Sequence, residues 1–226
     1  MQHLTDITKR PTTTDLVFEA LHDDIVSLRV LPGTKLSEVE VAKRFGVSRQ
    51  PVRDAINRLY HQDLVVVQPQ KATTVRGFSL ERINRARFLR LAVELEVMQR
   101  ACAVWDDVCV TTLQKNLDLQ LQAISQQEGD KFHQVDSEFH TLICKLSGCE
   151  LVIPIIKECR QKTDRLCVLS IDHYSDIETI FDDHKAMADA LARRSIDDAS
   201  NLIRGHLSRL DHTIAAVHEA HAEYFE

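Results

Sequence analysis

Aromatic residues are scarce in this 226-residue chain, at 5% of positions, while apolar residues together reach 44%. A core drawn from such a chain rests on aliphatic side chains, which suits packed helices. No apolar run approaches the roughly 18 residues that a membrane-spanning helix requires, so no membrane partner is expected. The N-terminus shows no signal-peptide pattern, and a cytoplasmic protein is the expectation. The six cysteines (Cys102, Cys109, Cys144, Cys149, Cys159 and Cys167) include no Cys-x-x-Cys pair. They fall inside helical patterns and read as buried, reduced thiols. Positive charge is also short: the formal net charge is −6, which taken alone argues against a nucleic-acid binder.

The charge is uneven, however, and its distribution reverses that argument. Residues 1–77 carry 11 Lys and Arg against 9 Asp and Glu, whereas residues 78–226 carry 17 against 25. Positions 41–58 hold five basic residues and one acid. Phosphate affinity follows a local patch rather than the total. The length accommodates one large domain or two modest ones.

What is present begins with two short helical patterns and a tight turn. In Leu36–Phe45, Val39, Ala42 and Phe45 form an apolar stripe, and Gly46 supplies the positive φ that stops the helix. Ser48 can cap the next helix, whose inward face is Val52, Ala55, Ile56 and Leu59. Arg49 falls in its first turn with Gln50 beside it, and Arg53 follows one turn later on the same side. A recognition helix has this arrangement: its N-terminal residues meet base edges and phosphates while its other face is held in a core. A helix striped by Val17, Leu21, Ile25 and Leu28 precedes, with Thr12, Thr13 or Thr14 as cap and Leu31-Pro32-Gly33 as its stop. Residues 1–11 read as a flexible arm. Leu64–Val67 and Thr73–Val75 are β-branched runs separated by Gln68-Pro69-Gln70-Lys71-Ala72, which reads as a small hairpin with a basic tip.

The order helix, helix-turn-helix, hairpin resembles the GntR family of bacterial regulators. The resemblance is carried by Gly46-Val47-Ser48-Arg49, Pro51-Val52-Arg53-Asp54-Ala55 and Leu59, without a gap. It implies DNA contacts from Ser48, Arg49, Gln50 and Arg53, and from Lys71 in the wing. Two residues depart from the family pattern: Asp63 stands where glycine usually precedes the first wing strand, and Ala72 stands where the wing tip usually has glycine.

From Ser79 onward the 3.6-residue period barely stops, and no strand-like alternation, repeat or low-complexity segment appears. The pattern predicts helices at roughly 80–104, 106–126, 130–147, 149–170, 175–194 and 196–222, joined into an antiparallel bundle. Asp106, Asp130 and Ser195 are candidate N-caps, and Gly148 a C-terminal stop. Asp136 and His140 stand four apart on one helix face. His184 follows two aspartates on the fifth helix, and His206 lies on the last. One carboxylate and three imidazoles from three helices can hold a divalent ion and leave coordination positions open. With eleven histidines in the chain, spacing alone is a weak signal, and His22, His61, His133, His212, His218 and His221 read as satisfied or surface residues. The set Asp136, His140, His184 and His206 is similar to the ligands of the FCD-type C-terminal domain in the FadR subfamily. Arg90 and Glu94 match that domain's Arg-x-x-x-Glu signature, which implies that Arg90 faces the effector cavity; the alternative is a plain i,i+4 ion pair.

The chain is therefore expected to be mainly α: a winged helix-turn-helix at 12–77, then an all-α effector-binding and dimerisation domain at 78–226. The resemblance implies a homodimeric transcriptional regulator, commonly a repressor, that binds double-stranded operator DNA. It implies one divalent metal per chain, zinc foremost with nickel or manganese as alternatives, and a small organic or sugar acid as effector. The rival readings are a DNA-binding dimer whose metal is purely structural and a metal-dependent hydrolase. The hydrolase needs a general base, and Glu138, two residues from His140, points away.

Overall fold

The computed structural model describes residues 11–68, 71–169 and 177–226. The expected arm at 1–11 lies almost wholly outside the described residues, as do Pro69 and Gln70 of the wing tip. The chain divides into two compact units, one of Met1–Phe78 with Tyr224–Glu226, the other Ser79–Glu223.

In the first unit, α1 (Thr13–Val26) opens on a capping box: Thr12 Oγ1 accepts from the Asp15 amide at 3.2 Å, and the Thr12 amide donates to Asp15 Oδ2 at 2.8 Å. Val17, Phe18, Leu21 and Ile25 are buried. The helix stops before the expected Leu31-Pro32-Gly33. Ser27 turns its hydroxyl onto the Asp23 carbonyl, the Leu28 amide drops back to the Ile25 carbonyl, and Leu28 takes φ +57. Leu28 therefore leaves the stripe assigned to it.

The next helix, α2 (Glu38–Phe45), is capped by Ser37 and ends at Gly46 with φ +65, in the left-handed region that glycine enters at no steric cost. Its inward pair is Val41 and Ala42, with Phe45 half-buried; Val39, expected on the stripe, is 58% exposed. Two turns of helix bury a face at i, i+1 and i+4, and Val39 falls outside it. In α3 (Arg49–His61), Val52, Ala55, Ile56 and Leu59 are all buried as expected. Strand β1 (Lys35–Leu36) joins β2 (Val65–Val66) and β3 (Thr73–Val75) in an antiparallel sheet of order β1-β3-β2, with Val65 opposite Val75. Two residues are too few to show alternation, so β1 has no sequence signal. Asp63 adopts φ +64, so the aspartate does carry the left-handed turn that glycine would serve before β2. The tail closes this unit: the Phe78 amide donates to Tyr224 O and the Glu226 amide to Phe78 O, both at 2.8 Å. A Cβ on Gly77 would stand 2.7 Å from Tyr224 O, which explains glycine there.

The second unit is helical throughout its described residues. It comprises α4 (Leu80–Val104), α5 (Asp107–Ser125), α6 (Gly129–Leu146), α7 (Ile153–Cys167), α8 (Ile177–Ala192), α9 (Ile196–Ser208) and α10 (Leu210–Ala220). Asp106 caps α5 by accepting from the Cys109 amide at 2.9 Å. Asp130 does not cap α6. Gln127 takes φ +58 and the Glu128 amide closes onto the Ala123 carbonyl, so the helix restarts two residues earlier and Asp130 sits inside its first turn. Gly148 ends α6 with φ +70, as expected. A 3-10 turn, Glu150–Val152, precedes α7, because Pro154 at its start has no amide to extend the α-ladder backward. The last expected helix is two: at Arg209 the amide bonds the His206 carbonyl, a three-residue step that separates α9 from α10.

Helix α4 packs on α6, α7, α8 and α9, while α5 packs on α6 and α8. The core between them is mainly aliphatic, with Val97, Met98, Ala101, Leu113, Leu191 and Ile203 in one cluster with the fully buried Phe139, while Phe132 packs in a second cluster with Ala123 and Ile177. Truncating any one large member, such as Leu191 to Ala, costs about 2–5 kcal/mol. The cysteines are free, four buried and two half-buried. Burial pushes the Cys144 thiol up to about 12, so it is not a thiolate at neutral pH.

Candidate functional site

Two groups of residues carry chemistry, one in each unit. On the first unit, Ser48 stands at the N-cap position of α3 with extended backbone, but its hydroxyl makes no cap bond; it is exposed. Arg49 and Arg53 project side chains 61% and 52% exposed, and both reach Glu38 at the start of α2. Arg49 Nη2 is 3.0 Å from Glu38 Oε2, and Arg53 places Nε and Nη2 at 3.2 and 3.1 Å from its two oxygens. The hydrogen bond from Arg53 holds the Glu38 carboxyl below its ordinary range, against the opposing effect of burial. Gln50 Nε2 donates to Asp54 at 2.9 Å, and Lys71 is exposed in the wing. Glu38 was not singled out from sequence, where it reads only as an acidic residue favouring the N-terminus of α2.

In the second unit, Asp136 and His140 of α6, His184 of α8 and His206 of α9 come together, each offering a ligand atom within 4.8 Å of the others. All but the half-buried His206 are buried. Phe139 stacks on His184 with ring centroids 4.1 Å apart. Asp136 Oδ1 lies 3.3 Å from His184 Nε2 and 3.7 Å from His140 Nε2, while its other oxygen accepts from Arg160 of α7. Burial drives the His184 and His206 imidazoles toward the neutral form. His140 is also penalised by burial, but Glu94 beside it raises it overall. Burial likewise opposes ionisation of Asp136, and the Arg160 guanidinium holds it well below the usual carboxylate range.

These residues fit a divalent cation, and the sharpest sign is His184. Its Nδ1 lies 2.8 Å from Gln120 Oε1, an acceptor, so Nδ1 carries the hydrogen and Nε2 presents a lone pair. That Nε2 is buried, makes no hydrogen bond, and faces a carboxylate oxygen. Two lone-pair donors facing one another away from water call for a cation between them.

Arg90 joins the cluster. Its Nη2 lies 3.5 Å from His140 Nε2, and its Nε donates to Glu94 Oε1 at 2.6 Å. The i,i+4 pair weighed from sequence therefore exists, but buried, with side chains 7% and 5% exposed. Arg90 also lines a cavity of about 280 Å³ with Arg87, Arg204, Thr163, Leu91 and Leu207. Sequence reasoning missed Arg160, Gln120 and Asn116. Asn116 and Gln120 interrupt the inward stripe of Cys109, Leu113, Leu117 and Ala123 on α5, and such polar interruptions were a usable signal. Arg160 has none, because its partner is on another helix.

Comparison with known proteins finds a family match within each unit. Residues 13–75 match the family described as bacterial regulatory proteins, gntR family, and residues 87–209 match the FCD domain. The repressor RspR of Escherichia coli K12 is 31% identical, over 92% of each chain. An uncharacterised helix-turn-helix regulator, YdfH of Escherichia coli O6:H1, is 30% identical over 98% of this chain and 97% of its own. The solved structure of Escherichia coli McbR/YncC superposes with a TM-score of 0.71 at 19% identity, covering 93% of this chain and 99% of that one. Relatives and families alike are transcriptional regulators rather than enzymes, so the hydrolase reading falls; Glu138, its nearest carboxylate by sequence, is exposed. No helix among the described residues is long and apolar enough to cross a membrane. With both families matched on one chain, this protein belongs to the GntR family of DNA-binding transcriptional regulators and carries an FCD domain.

Proposed function

We propose that this chain is a cytoplasmic, homodimeric repressor of the FadR subfamily whose hold on its operator is controlled by a small organic or sugar acid. Residues 12–77 read the operator: Arg49 and Gln50 at base edges, Ser48, Arg53 and Lys71 at phosphates and groove walls. One reading helix per protomer matches a near-palindromic site with two half-sites. Residues 78–226 hold one divalent ion on Asp136, His140, His184 and His206, with zinc suited to the imidazoles and nickel or manganese as alternatives. RspR is named a repressor, which supports that sign of regulation here.

The observation that carries this reading is the bare, buried Nε2 of His184 facing Asp136 Oδ1. Arg90, which reaches His140, opens onto a cavity lined also by Arg204 and by the Arg87–Asp211 pair, and its guanidiniums suit an acid. A carboxylate entering a helical bundle exchanges hydration for fixed cations, and a guanidinium with a metal supplies two. The acid shifts operator affinity only through its different affinities for the two arrangements of the dimer's reading helices.

The test is operator release against concentration for a panel of small carboxylates, with and without chelation, in wild type and Arg90→Ala. Release that disappears on chelation and shifts to higher concentration in Arg90→Ala supports the reading. Metal that stabilises the protein with no carboxylate response in any variant favours a purely structural ion.

A further inference from the structure

Each of the four candidate ligands is gripped from behind by a different residue. Glu94 Oε2 lies 2.7 Å from His140 Nδ1, Gln120 Oε1 2.8 Å from His184 Nδ1, and Asp183 Oδ2 3.3 Å from His206 Nδ1. Arg160 holds Asp136. Three of these partners are charged, and a carboxylate can only accept from an imidazole N–H. Gln120 is different. An amide offers either an oxygen or an NH₂ group, and rotating it by half a turn would reverse the demand it makes on His184.

What fixes the amide is a chain of hydrogen bonds with one possible direction. Gln120 Nε2 donates to Asn116 Oδ1 at 2.7 Å, and Asn116 Nδ2 donates to the backbone carbonyl of Val135 at 3.0 Å. A backbone carbonyl can only accept. Asn116 must therefore point its NH₂ at Val135 and its oxygen at Gln120. Gln120 must then point its NH₂ at Asn116 and its oxygen at His184. Nδ1 of His184 must in turn be the protonated nitrogen, and Nε2 the bare one. Asn116 is 4% exposed and Gln120 0%, so no bulk water competes at any step. The origin of the chain is the residue next to Asp136, so it ties α5 to α6 and α8 at the height of the cluster.

We infer that Asn116 and Gln120 form a relay that locks His184 in the tautomer able to bind a metal through Nε2. Both are positioning residues; Asn116 hydrogen-bonds Val135 and Gln120 and acts on His184 through Gln120. The inference rests on the metal reading above for its purpose, but the tautomer is a property of the metal-free protein. Partners of this kind that orient a metal-bound histidine change metal affinity roughly 10–100-fold when removed.

The experiment has two arms. The first is the long-range proton–nitrogen imidazole spectrum of metal-free wild type, with the His184 signals assigned by their loss in His184→Gln. A single neutral tautomer with hydrogen on Nδ1 is expected; hydrogen on Nε2, or an even mixture, overturns the relay whatever any variant does. The second arm is zinc affinity by chelator competition for wild type, Asn116→Leu, Gln120→Leu and Gln120→Glu. Both leucine variants should bind roughly 10–100-fold more weakly, and Asn116→Leu should also turn the His184 spectrum into a mixture, which loss of packing alone does not do. Gln120→Glu in its neutral form keeps an acceptor at Nδ1 and an O–H to donate to Asn116 Oδ1, and should restore most of the affinity lost in Gln120→Leu. Wild-type affinity in Asn116→Leu overturns the inference. Wild type that binds no zinc removes the metal reading instead, and leaves the relay to be decided by the first arm.

Discussion

The two units use arginine in opposite ways. In the reading unit, Arg49 and Arg53 are more than half exposed and share one carboxylate, Glu38. In the bundle, Arg90 and Arg160 are buried and each grips its own carboxylate, Glu94 and Asp136. An exposed pair is screened, weak and easily exchanged for another anion. A buried pair is costly to break, because removal of one partner leaves a charge without solvent or counter-ion. Under the proposed function the exposed arginines can thus trade Glu38 for a phosphate, whereas the buried ones hold the geometry of the candidate metal site. The same side chain serves transfer in one place and placement in the other, and burial decides which.

The comparison is most severely tested by cutting one pair in each unit. Arg160→Met should destabilise the metal-free bundle by about 3–5 kcal/mol, since Asp136 loses its guanidinium inside the core. Bound zinc should recover part of that loss, because a dication then neutralises the same carboxylate. The matching variant Arg53→Met should leave the unfolding midpoint nearly unmoved and instead weaken operator binding. Urea unfolding by circular dichroism, with Trp105 fluorescence reporting the bundle, separates the two. Equal loss in both variants would show that burial is not what distinguishes them.

Next in size is Arg49→Ala, which should cost about 1–3 kcal/mol of discrimination between operator and unrelated DNA. Lys71→Ala should weaken binding to both about equally and lower the dependence on salt. Fluorescence anisotropy at several salt concentrations checks both; the assignments change places if the specificity loss follows Lys71.

How much of this contrast could be read in the sequence follows from how local each signal is. The α3 face, the stop at Gly46 and the extent of α4 depend on residues near in sequence, and all were visible. The candidate ligands Asp136, His140, His184 and His206 came from the family resemblance rather than from spacing, because they meet only through three helices. Some of what escaped is local, such as the early stop at Leu28 and the restart ahead of Asp130, but most is non-local. Glu38 pairs across a turn with Arg49 and Arg53, Arg160 meets Asp136 across helices, and β1 needs β3 to exist at all. The break at Arg209 had no sequence signal, and its guanidinium pairs with Asp183 on another helix.

A third test concerns acid. Burial pushes Asp24 toward the neutral form, but hydrogen bonds from Arg29 and Arg44 prevail and hold it below its ordinary value. A carboxylate lowered in the folded state contributes stability above its unfolded pKa, and that contribution is lost as pH falls through the folded value. The reading unit should therefore weaken below about pH 4, by at most about 1.4 kcal/mol per pH unit from this one group. Asp24→Asn should be less stable at pH 7 yet lose less between pH 4 and 3. Unfolding midpoints at the two pH values decide it, and parallel losses in wild type and variant would remove Asp24 from the acid response.

The smallest expected effect probes the transfer itself. Glu38 pairs with both Arg49 and Arg53, so under the proposed reading it competes with DNA for both guanidiniums. Removing its charge in Glu38→Gln has two consequences of opposite sign. The fold loses an exposed pair and a favourable charge at the start of α2, together about 0.3–1 kcal/mol. DNA gains two arginines that no longer surrender a carboxylate, and one fewer negative charge near its backbone. Affinity for unrelated DNA should rise a few-fold, most clearly at low salt, where screening is least. Operator affinity should rise by the same factor or less, because base contacts by Arg49 are unchanged, so the ratio between the two should narrow or hold. Anisotropy titrations of Glu38→Gln on operator and scrambled duplexes read the ratio directly. A fall in affinity for both would mean that Glu38 presents the arginines to DNA rather than withholding them, and the exposed pair would then be a positioning device like the buried ones.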